Sequence, residues 1–137
     1  MRKPVRILAF SAFAAGLALA AVPSVAADVL QDREDGFKAA KRSMAQIKDA
    51  LAANNVAAIV EPAKSLAAFG PHIPALFPKG SNGGDSKAKS EIWDNFADFE
   101  TKSKALETSA GLLAQVAAAN DAAAVPGAFG KVADSCK

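Results

Sequence analysis

Three side chains in this sequence are the first candidates for binding a cofactor or its metal ion, by type and position: Met44, His72 and Cys136. His72 is the sole histidine and Cys136 the sole cysteine. With one histidine, neither a histidine metal site nor a Ser/His/Asp triad can be assembled. His72 follows a proline in a loop segment, and we expect it to be a surface or loop-packing residue rather than a ligand.

The other polar groups do not predict an enzyme. Asp94 and Asp98 lie four residues apart beside lysines on a predicted helix, which is typical of a solvated surface rather than of paired catalytic carboxylates. Gly83 and Gly84 lack the remaining residues of a phosphate-binding loop. We therefore expect a binding or carrier protein and not an enzyme.

The N-terminus has the three parts of a secretory signal peptide. Three basic residues lie within the first six positions, an apolar stretch covers residues 7–22, and small residues at 24–27 form a cleavage site. The apolar stretch is short for a membrane-spanning helix. We therefore expect residues 1–27 to be cleaved, which leaves a mature domain of residues 28–137 exported to the bacterial periplasm.

Charge and cysteine content exclude several classes of partner. The formal net charge is +2, and removal of the three basic signal residues leaves about −1. Lysines and acids are interspersed, without the basic face that nucleic-acid binding requires, and no second segment is apolar enough to cross a membrane. One cysteine cannot form a disulfide framework, so a core or a bound group must stabilise the domain.

Beyond the signal, apolar residues recur at helical spacing in four stretches. In chain order, the stripe positions are Phe37, Ala40, Met44, Ile47 and Leu51; Val56, Ile59, Ala63 and Leu66; Ile92, Phe96, Phe99, Leu106, Ala110, Leu113 and Ala117; and Val125, Phe129, Val132 and Cys136. A loop over residues 70–84, with three prolines and four glycines, separates the second and third helices, and we expect its apolar side chains to pack down. The pattern predicts an all-α protein, an antiparallel up-down-up-down four-helix bundle. The third helix is predicted to be continuous, and the fourth to begin at residues 120–121.

Met44 and Cys136 both fall on inward stripes of this bundle. A methionine there is usually a flexible core filler, but it is also a type of haem ligand, and such ligands project into bundle cores. Cys136 alone is compatible with an inert buried thiol or with an intermolecular disulfide. Many stripe positions are alanine, which leaves room between the helices for a flat ligand.

Together these segments resemble the class II cytochromes c, the cytochrome c′ family, over essentially the whole mature domain. The motifs that carry the resemblance are Phe37-Lys38 with Met44-Ala-Gln-Ile47, the loop Leu76-Phe-Pro-Lys-Gly-Ser81, Ile92-Trp93 with Phe96 and Phe99, and Phe129 to Lys137 at the end. The F-P-x-G-S loop followed about ten residues later by Ile-Trp is the most specific of them.

The resemblance implies a monohaem cytochrome whose last helix carries a C-x-x-C-H motif. Cys136 matches the first cysteine of that motif and is implied to bond haem c through a thioether. Met44 is implied as a possible axial ligand of the haem iron, and Trp93, Phe96 and Phe37 as residues of the haem pocket. The rest of the motif is absent from the 137 residues. We therefore expect a truncated chain with an incomplete last helix, which binds haem c only if the motif is completed beyond residue 137.

The implied function is one-electron transfer with redox partner proteins, or binding of a small gas, and a Met44 ligand would favour electron transfer. A homodimer through the first two helices is also implied. Two alternatives stay open. One is a haem-free bundle with a binding or structural role, which could dimerise through Cys136. The other is a non-covalent haem protein with Met44 on one side and His72, or a partner's side chain, on the other.

Overall fold

Alanine-rich stretches with apolar residues three and four apart form the helices of this protein. The structure is a computed structural model that describes residues 25–137, and the predicted signal peptide, residues 1–27, lies almost entirely outside this part. The helices are α1 (Val25–Ala52), α2 (Val60–Phe69), α3 (Glu91–Asp94), α4 (Phe96–Ala118) and α5 (Val125–Ser135). No strand occurs in residues 25–137. The four longer helices form a bundle, which confirms the predicted all-α fold.

Two asparagines build the turn between α1 and α2. Asn54 has a φ of 51°, the left-handed conformation that asparagine tolerates, and it follows the end of α1 at Ala52. The Asn55 side chain accepts a hydrogen bond of 3.3 Å from the Ala58 backbone N–H and caps the 3-10 turn Val56–Ile59. That turn leads into α2, whose first turn contains Pro62 at no cost in helical hydrogen bonds.

Residues 70–90 connect α2 to α3 without regular α-helix. Two short 3-10 turns, Gly70–His72 and Pro74–Leu76, accommodate the first prolines. Ile73 and Phe77 are only 5% and 6% exposed, so the apolar side chains of the loop pack onto the bundle as predicted.

The third predicted helix is divided, and the prediction of one continuous helix is wrong. Asn95 has φ −134° and ψ 56°, which interrupts the helix between α3 and α4. Its carbonyl then accepts hydrogen bonds from the Asp98 and Phe99 N–H groups at 3.1 and 3.3 Å and starts α4.

The last helix begins later than predicted, at Val125 rather than at residues 120–121. Asn120 has a φ of 55° and ends the preceding segment. The Asp121 carboxylate accepts a hydrogen bond of 3.1 Å from the Ala124 N–H. This local bond holds a turn in place of a helix, and Pro126 then occupies the first turn of α5, where its fixed φ is favourable.

The long helices pack in the order of an up-and-down bundle: α1 against α2, α2 against α4, and α4 against α5. The largest fully buried side chains are Ile47, Ile59, Leu66, Leu113, Val125 and Val132. Leu51, near the end of α1, and Val125, at the beginning of α5, line one small cavity. The up-and-down order of the helices makes α1 and α5 antiparallel.

Candidate functional site

A cavity of about 610 Å³ opens between α1, α4 and α5. The side chains that line it are Phe37, Ala40, Lys41, Met44, Lys48, Leu66, Phe69, Ile73, Phe99, Lys102, Ser103, Leu106, Phe129, Ala133, Ser135, Cys136 and Lys137. Cofactor sites commonly measure about 300–1,000 Å³ and have mainly apolar and aromatic walls. The size and lining of this cavity therefore fit a flat organic group.

The α1 wall of the cavity comes from the apolar stripe that the sequence predicted. Phe37, Ala40 and Met44 are three and four residues apart, so they project from one face of the helix. Phe37 is 43% exposed, whereas Ile47, one turn beyond Met44, is fully buried. The stripe thus passes from the cavity wall into the closed core.

Cys136 lies on the opposite side of the cavity, directly after the last residue of α5. It is an exposed free thiol and part of the cavity lining. The hydroxyl of Ser135 donates to the Val132 carbonyl at 2.7 Å and lies 3.4 Å from Ser109 Oγ on α4, which holds the end of α5 against α4. The structure therefore brings two predicted site residues, Cys136 and Met44, to the same cavity.

A cluster of phenylalanines closes one end of the cavity. Phe37 packs edge-on against Phe69, with ring centroids 5.2 Å apart. Phe77 lies outside the lining and packs against Phe37 at 6.3 Å and against Phe99 at 4.8 Å. Such edge-to-face pairs each contribute about 0.5–1.5 kcal/mol beyond burial. Phe77 therefore supports two rings of the cavity wall from behind.

The other two predicted pocket residues, Trp93 and Phe96, do not line the cavity. The Trp93 indole N–H donates to the carbonyls of Phe77 and Pro78 at 3.0 and 3.1 Å and so fixes the loop. Phe96 packs against Phe99, with ring centroids 5.8 Å apart. Their assignment to a haem pocket stays a prediction.

The charged part of the cavity lining is cationic. Lys41, Lys48, Lys102 and Lys137 line the cavity, and among residues 25–137 no aspartate or glutamate does so. Lys137 donates to the Asp134 carboxylate at 2.7 Å, and this hydrogen bond raises the pKa of Lys137. Within residues 25–137, Lys41 and Lys48 have no carboxylate within 4.0 Å. The lining thus suits a ligand with an apolar body and carboxylate groups.

Sequence reasoning missed one residue of this region, Arg33 on α1, which is only 6% exposed. Its Nε and Nη2 donate to the Leu76 carbonyl at 3.0 and 2.9 Å. Nη2 also bonds Ser81 Oγ at 2.7 Å, and Nη1 bonds Ser86 Oγ at 3.0 Å. The guanidinium carbon lies 4.0 Å from the ring centroid of Phe77.

Burial lowers the pKa of Arg33, although a guanidinium remains charged in proteins. The one sequence signal was its position four residues before Phe37, which places both on one face of α1. Spacing alone does not separate a buried arginine from a solvated one.

The described part of the chain contains no cluster of three or more His, Cys, Asp or Glu side chains that could hold a metal ion. His72 is exposed and does not line the cavity. None of the helices within residues 25–137 has the length and apolar character needed to cross a membrane.

A family model for cytochrome c′ matches residues 28–137 of this chain. The chain belongs to the cytochrome c′ family. It is 34% identical to cytochrome c′ of Rhodospirillum rubrum over 92 residues, 66% of this chain and 61% of that protein. It is 38% identical to cytochrome c′ of Alcaligenes xylosoxydans xylosoxydans over 86 residues, 62% of this chain and 63% of that protein. The matched segments span about three fifths of both relatives.

Solved cytochromes c′ share the bundle. Cytochrome c′ of Thermochromatium tepidum matches with a TM-score of 0.74 and 28% identity, over 81% of this chain and 89% of that one. A cytochrome c′ described as having an unusual ligand-controlled dimer dissociation matches with a TM-score of 0.73 and 29% identity, over the same shares of the two chains. The family and the four-helix bundle predicted from the sequence are therefore confirmed.

Proposed function

We propose that this cytochrome c′ family member is a monohaem protein in which Cys136 binds haem c through a thioether. The observation that carries the proposal is the position of the Cys136 thiol, which is exposed on the lining of an apolar cavity of about 610 Å³. A thioether can form only where a thiol meets the edge of the bound ring. Cys136 is the sole cysteine of the sequence, and its position on the cavity lining supports this role.

The residues of the cavity fit haem. Phe37, Phe99 and Phe129 supply aromatic walls that would exclude water from a flat apolar group, and the lining cations Lys41 and Lys48 are available to pair with carboxylates. When bound, haem supplies an iron centre that exchanges one electron and binds small gases. The protein's own contribution is to orient the group and to set the polarity around it.

Two side chains of α1, Met44 and Phe37, are candidates for the position next to the iron on the face of the haem that α1 would cover. Because α1 and α5 are antiparallel, with Leu51 and Val125 lining one small cavity at one end, the direction of α5 at Cys136 points toward Phe37 and away from Met44. The family motif places its histidine one helical turn after the first cysteine. We therefore expect Phe37, which cannot ligate iron, on the opposite face, and Met44 in the cavity wall. A Met44 ligand is the alternative.

The proposed activity is one-electron transfer with redox partner proteins in the bacterial periplasm, together with binding of a small gas such as NO. An iron without a sixth protein ligand has an open position for such a gas. Export through a cleaved signal over residues 1–27 belongs to the same proposal, since haem c is attached to exported proteins.

A homodimer through α1 and α2 is also proposed. The groove beside these helices has Gln46, Asp49 and Glu61 in its lining together with small residues. Among the small residues, Ala53 and Ala58 are exposed and would let a second copy approach closely. One solved relative is described by ligand-controlled dimer dissociation. Ala58→Glu is expected to yield monomers in sedimentation equilibrium, whereas Lys104→Glu on the exposed surface of α4 should leave the dimer intact. A monomeric unsubstituted protein contradicts this part of the proposal.

The test of haem attachment is acid-acetone extraction of the natural gene product, made with a cytochrome c maturation system. We expect the Soret band to stay with the protein. Cys136→Ala is expected to release the haem or to shift the α band of its pyridine haemochrome to longer wavelength, because a vinyl group that forms no thioether stays conjugated. Ser135→Ala, one residue earlier, is the matched control and should leave both unchanged.

Two other results contradict the proposal and favour its alternatives. Haem that is fully extracted by acid-acetone indicates a non-covalent haem protein. A purified protein without any Soret band indicates a haem-free bundle.

A further inference from the structure

The loop between α2 and α3 contains the one asparagine of the sequence that a glycine follows, at Asn82-Gly83. Asn82, Gly83 and Gly84 are all exposed, and a Cβ added to Gly83 would meet no atom within 4 Å. Neither the Asn82 side chain nor the Gly83 N–H forms a hydrogen bond with another atom of residues 25–137. The side-chain amide and the backbone nitrogen that follows it are therefore both free to react.

An asparagine can lose its side-chain amide without an enzyme when the next backbone nitrogen reaches its side-chain carbonyl carbon, Cγ. A Cβ on the following residue hinders this approach. Glycine has no Cβ and the widest choice of backbone angles. At Asn82 two glycines follow in succession, and the second of them, Gly84, has a φ of 62°. The local sequence and backbone thus favour ring closure at Asn82.

Two of the other asparagines are followed by a backbone nitrogen that is already engaged. The N–H after Asn54 donates to the Ala50 carbonyl at 2.8 Å. The N–H after Asn120 donates to the Val116 carbonyl at 3.0 Å. Each of these hydrogen bonds must break before the nitrogen can attack the side chain, so the fold slows the reaction at both positions.

The remaining two asparagines precede bulky residues at the beginning of helical segments. Asn55 comes before the β-branched Val56, and its side-chain oxygen accepts a hydrogen bond of 3.3 Å from the Ala58 N–H. Asn95 comes before Phe96, the first residue of α4. Both following side chains crowd the nitrogen, and Asn82 is left as the asparagine that sequence and fold together leave open.

We propose that Asn82 is a site of spontaneous deamidation. The Gly83 nitrogen gives its proton to water and forms a bond with Cγ of Asn82. The bond from Cγ to the amide nitrogen breaks, and that nitrogen takes up a proton and leaves as ammonia. A water molecule then opens the five-membered succinimide ring, at Cγ to give aspartate or at the backbone carbonyl to give isoaspartate. In sum, asparagine and water yield a carboxylic acid and ammonia.

The product differs from the original loop in charge and, in part, in length. The new carboxyl group is ionised at neutral pH, so each modified chain gains one negative charge on its surface. Isoaspartate also lengthens the backbone by one carbon, because the chain then runs through the former side chain. The protein is therefore expected to become a mixture of charge forms as it ages, with or without a bound cofactor.

Trypsin places the asparagines in peptides that can be followed separately. Cleavage after Lys79 and Lys87 releases residues 80–87, in which Asn82 is the sole asparagine, and the other four fall in residues 49–64, 90–102 and 105–131. The folded full-length protein is incubated at mildly alkaline pH and sampled by mass spectrometry. We expect the 80–87 peptide to change from amide to acid about tenfold faster than the other three, or more. An isoaspartate methyltransferase should methylate this product and not the fresh peptide.

Gly83→Ala is the matched variant. A methyl group has open space at this position, and the φ of Gly83 lies outside the left-handed region, so the substitution leaves the fold intact. It should slow the reaction at Asn82 by about tenfold or more, because the new Cβ shields the attacking nitrogen. Gly130→Ala, which also adds a methyl group in open space, is the control and should leave the rate unchanged.

Incubation in guanidinium chloride separates the effect of the sequence from that of the fold. Because the folded loop leaves Asn82 free, its rates in the folded and the unfolded protein should agree within about threefold, whereas the other asparagines should react faster once unfolded. A folded protein that keeps the amide of Asn82 while the unfolded chain loses it overturns the proposal. A Gly83→Ala protein that reacts as fast as the unsubstituted one overturns it as well.

Discussion

The hydroxyl of Ser103 donates a hydrogen bond of 2.6 Å to the carbonyl of Gly70. Both residues are buried, and this contact joins α4 to the start of the loop that carries Phe77. Ser103 also lines the cavity. One hydrogen bond thus links the bundle, the loop and the candidate site.

Ser103→Ala is expected to destabilise the protein by about 0.5–1.5 kcal/mol, because the buried Gly70 carbonyl loses one of its two hydrogen bonds and keeps only the bond of 3.1 Å from the Ile73 N–H. Ser65→Ala is the control, since the Ser65 hydroxyl bonds the Glu61 carbonyl at 3.0 Å on an exposed surface, where water can replace it. Urea denaturation of the variants measures the difference. Equal losses in the free energy of unfolding for the two variants would show that the buried Ser103 bond stabilises the protein no more than the exposed Ser65 bond.

Substitution of Gly70 and of Gly111 by alanine should change the stability of the protein in opposite directions. A Cβ on Gly70 would lie 2.8 Å from the backbone nitrogen of Glu107, which cannot move without shifting α4, so Gly70→Ala should cost about 1–3 kcal/mol. A Cβ on Gly111 meets nothing within 4 Å, so Gly111→Ala should stabilise α4 by about 0.5–1 kcal/mol. Thermal denaturation of both variants tests this pair. A stabilised Gly70→Ala would mean that loop and helix are not tightly apposed.

The coordination of the iron is tested by two substitutions on α1: one removes the methionine at position 44, and the other introduces a methionine at position 37. Met44→Leu keeps the volume of the side chain and is expected to leave the Soret and visible bands unchanged, because Met44 is proposed to pack in the cavity wall. Phe37→Met is expected to give a low-spin, six-coordinate spectrum if the natural protein carries the family's histidine after Cys136, since Phe37 is proposed to lie on the other face of the haem. A Met44→Leu protein that loses a low-spin spectrum would establish Met44 as the ligand instead.

The contribution of the hydrogen bond between Gln31 and Asp35 to stability should depend on pH. The Gln31 side chain donates to the Asp35 carboxylate at 2.9 Å, and this bond, followed by the charge of Lys38, lowers the pKa of Asp35. Its stabilising contribution is present above the unfolded pKa, about 3.9, and is lost as the pH falls through the lower folded-state pKa.

Because Asp35 is exposed, this effect on stability is small, and NMR titration of the carboxyl group measures the pKa directly. Gln31→Ala should raise the pKa, and Gln46→Ala, also on the exposed surface of α1, should not. An unchanged pKa in Gln31→Ala would rule out the hydrogen bond as the main cause.

Helical periodicity was enough to predict the bundle, because stripes such as Phe37, Ala40 and Met44 do face one interior space. The divided third helix was not predictable from the stripe, since Ile92 and Phe96 keep their spacing of four residues across the break at Asn95. That break depends on tertiary contacts: Trp93 bonds loop carbonyls sixteen and fifteen residues earlier.

The candidate site was predictable only in part. Cys136 and Met44 come together because both lie on inward stripes, which a sequence reports. Arg33 was missed because its partners, Leu76, Ser81 and Ser86, lie 43 to 53 residues away. A long-range bond between a side chain and loop carbonyls leaves no periodic trace, so only the folded chain shows why this arginine is buried.

The most direct test of haem attachment is mass spectrometry of the tryptic peptide that contains Cys136, taken from the natural protein purified from its source. The account predicts that this peptide carries the mass of haem on Cys136 and absorbs at the Soret wavelength. A Cys136 peptide recovered only with a free, alkylatable thiol, from a protein without a Soret band, would contradict it.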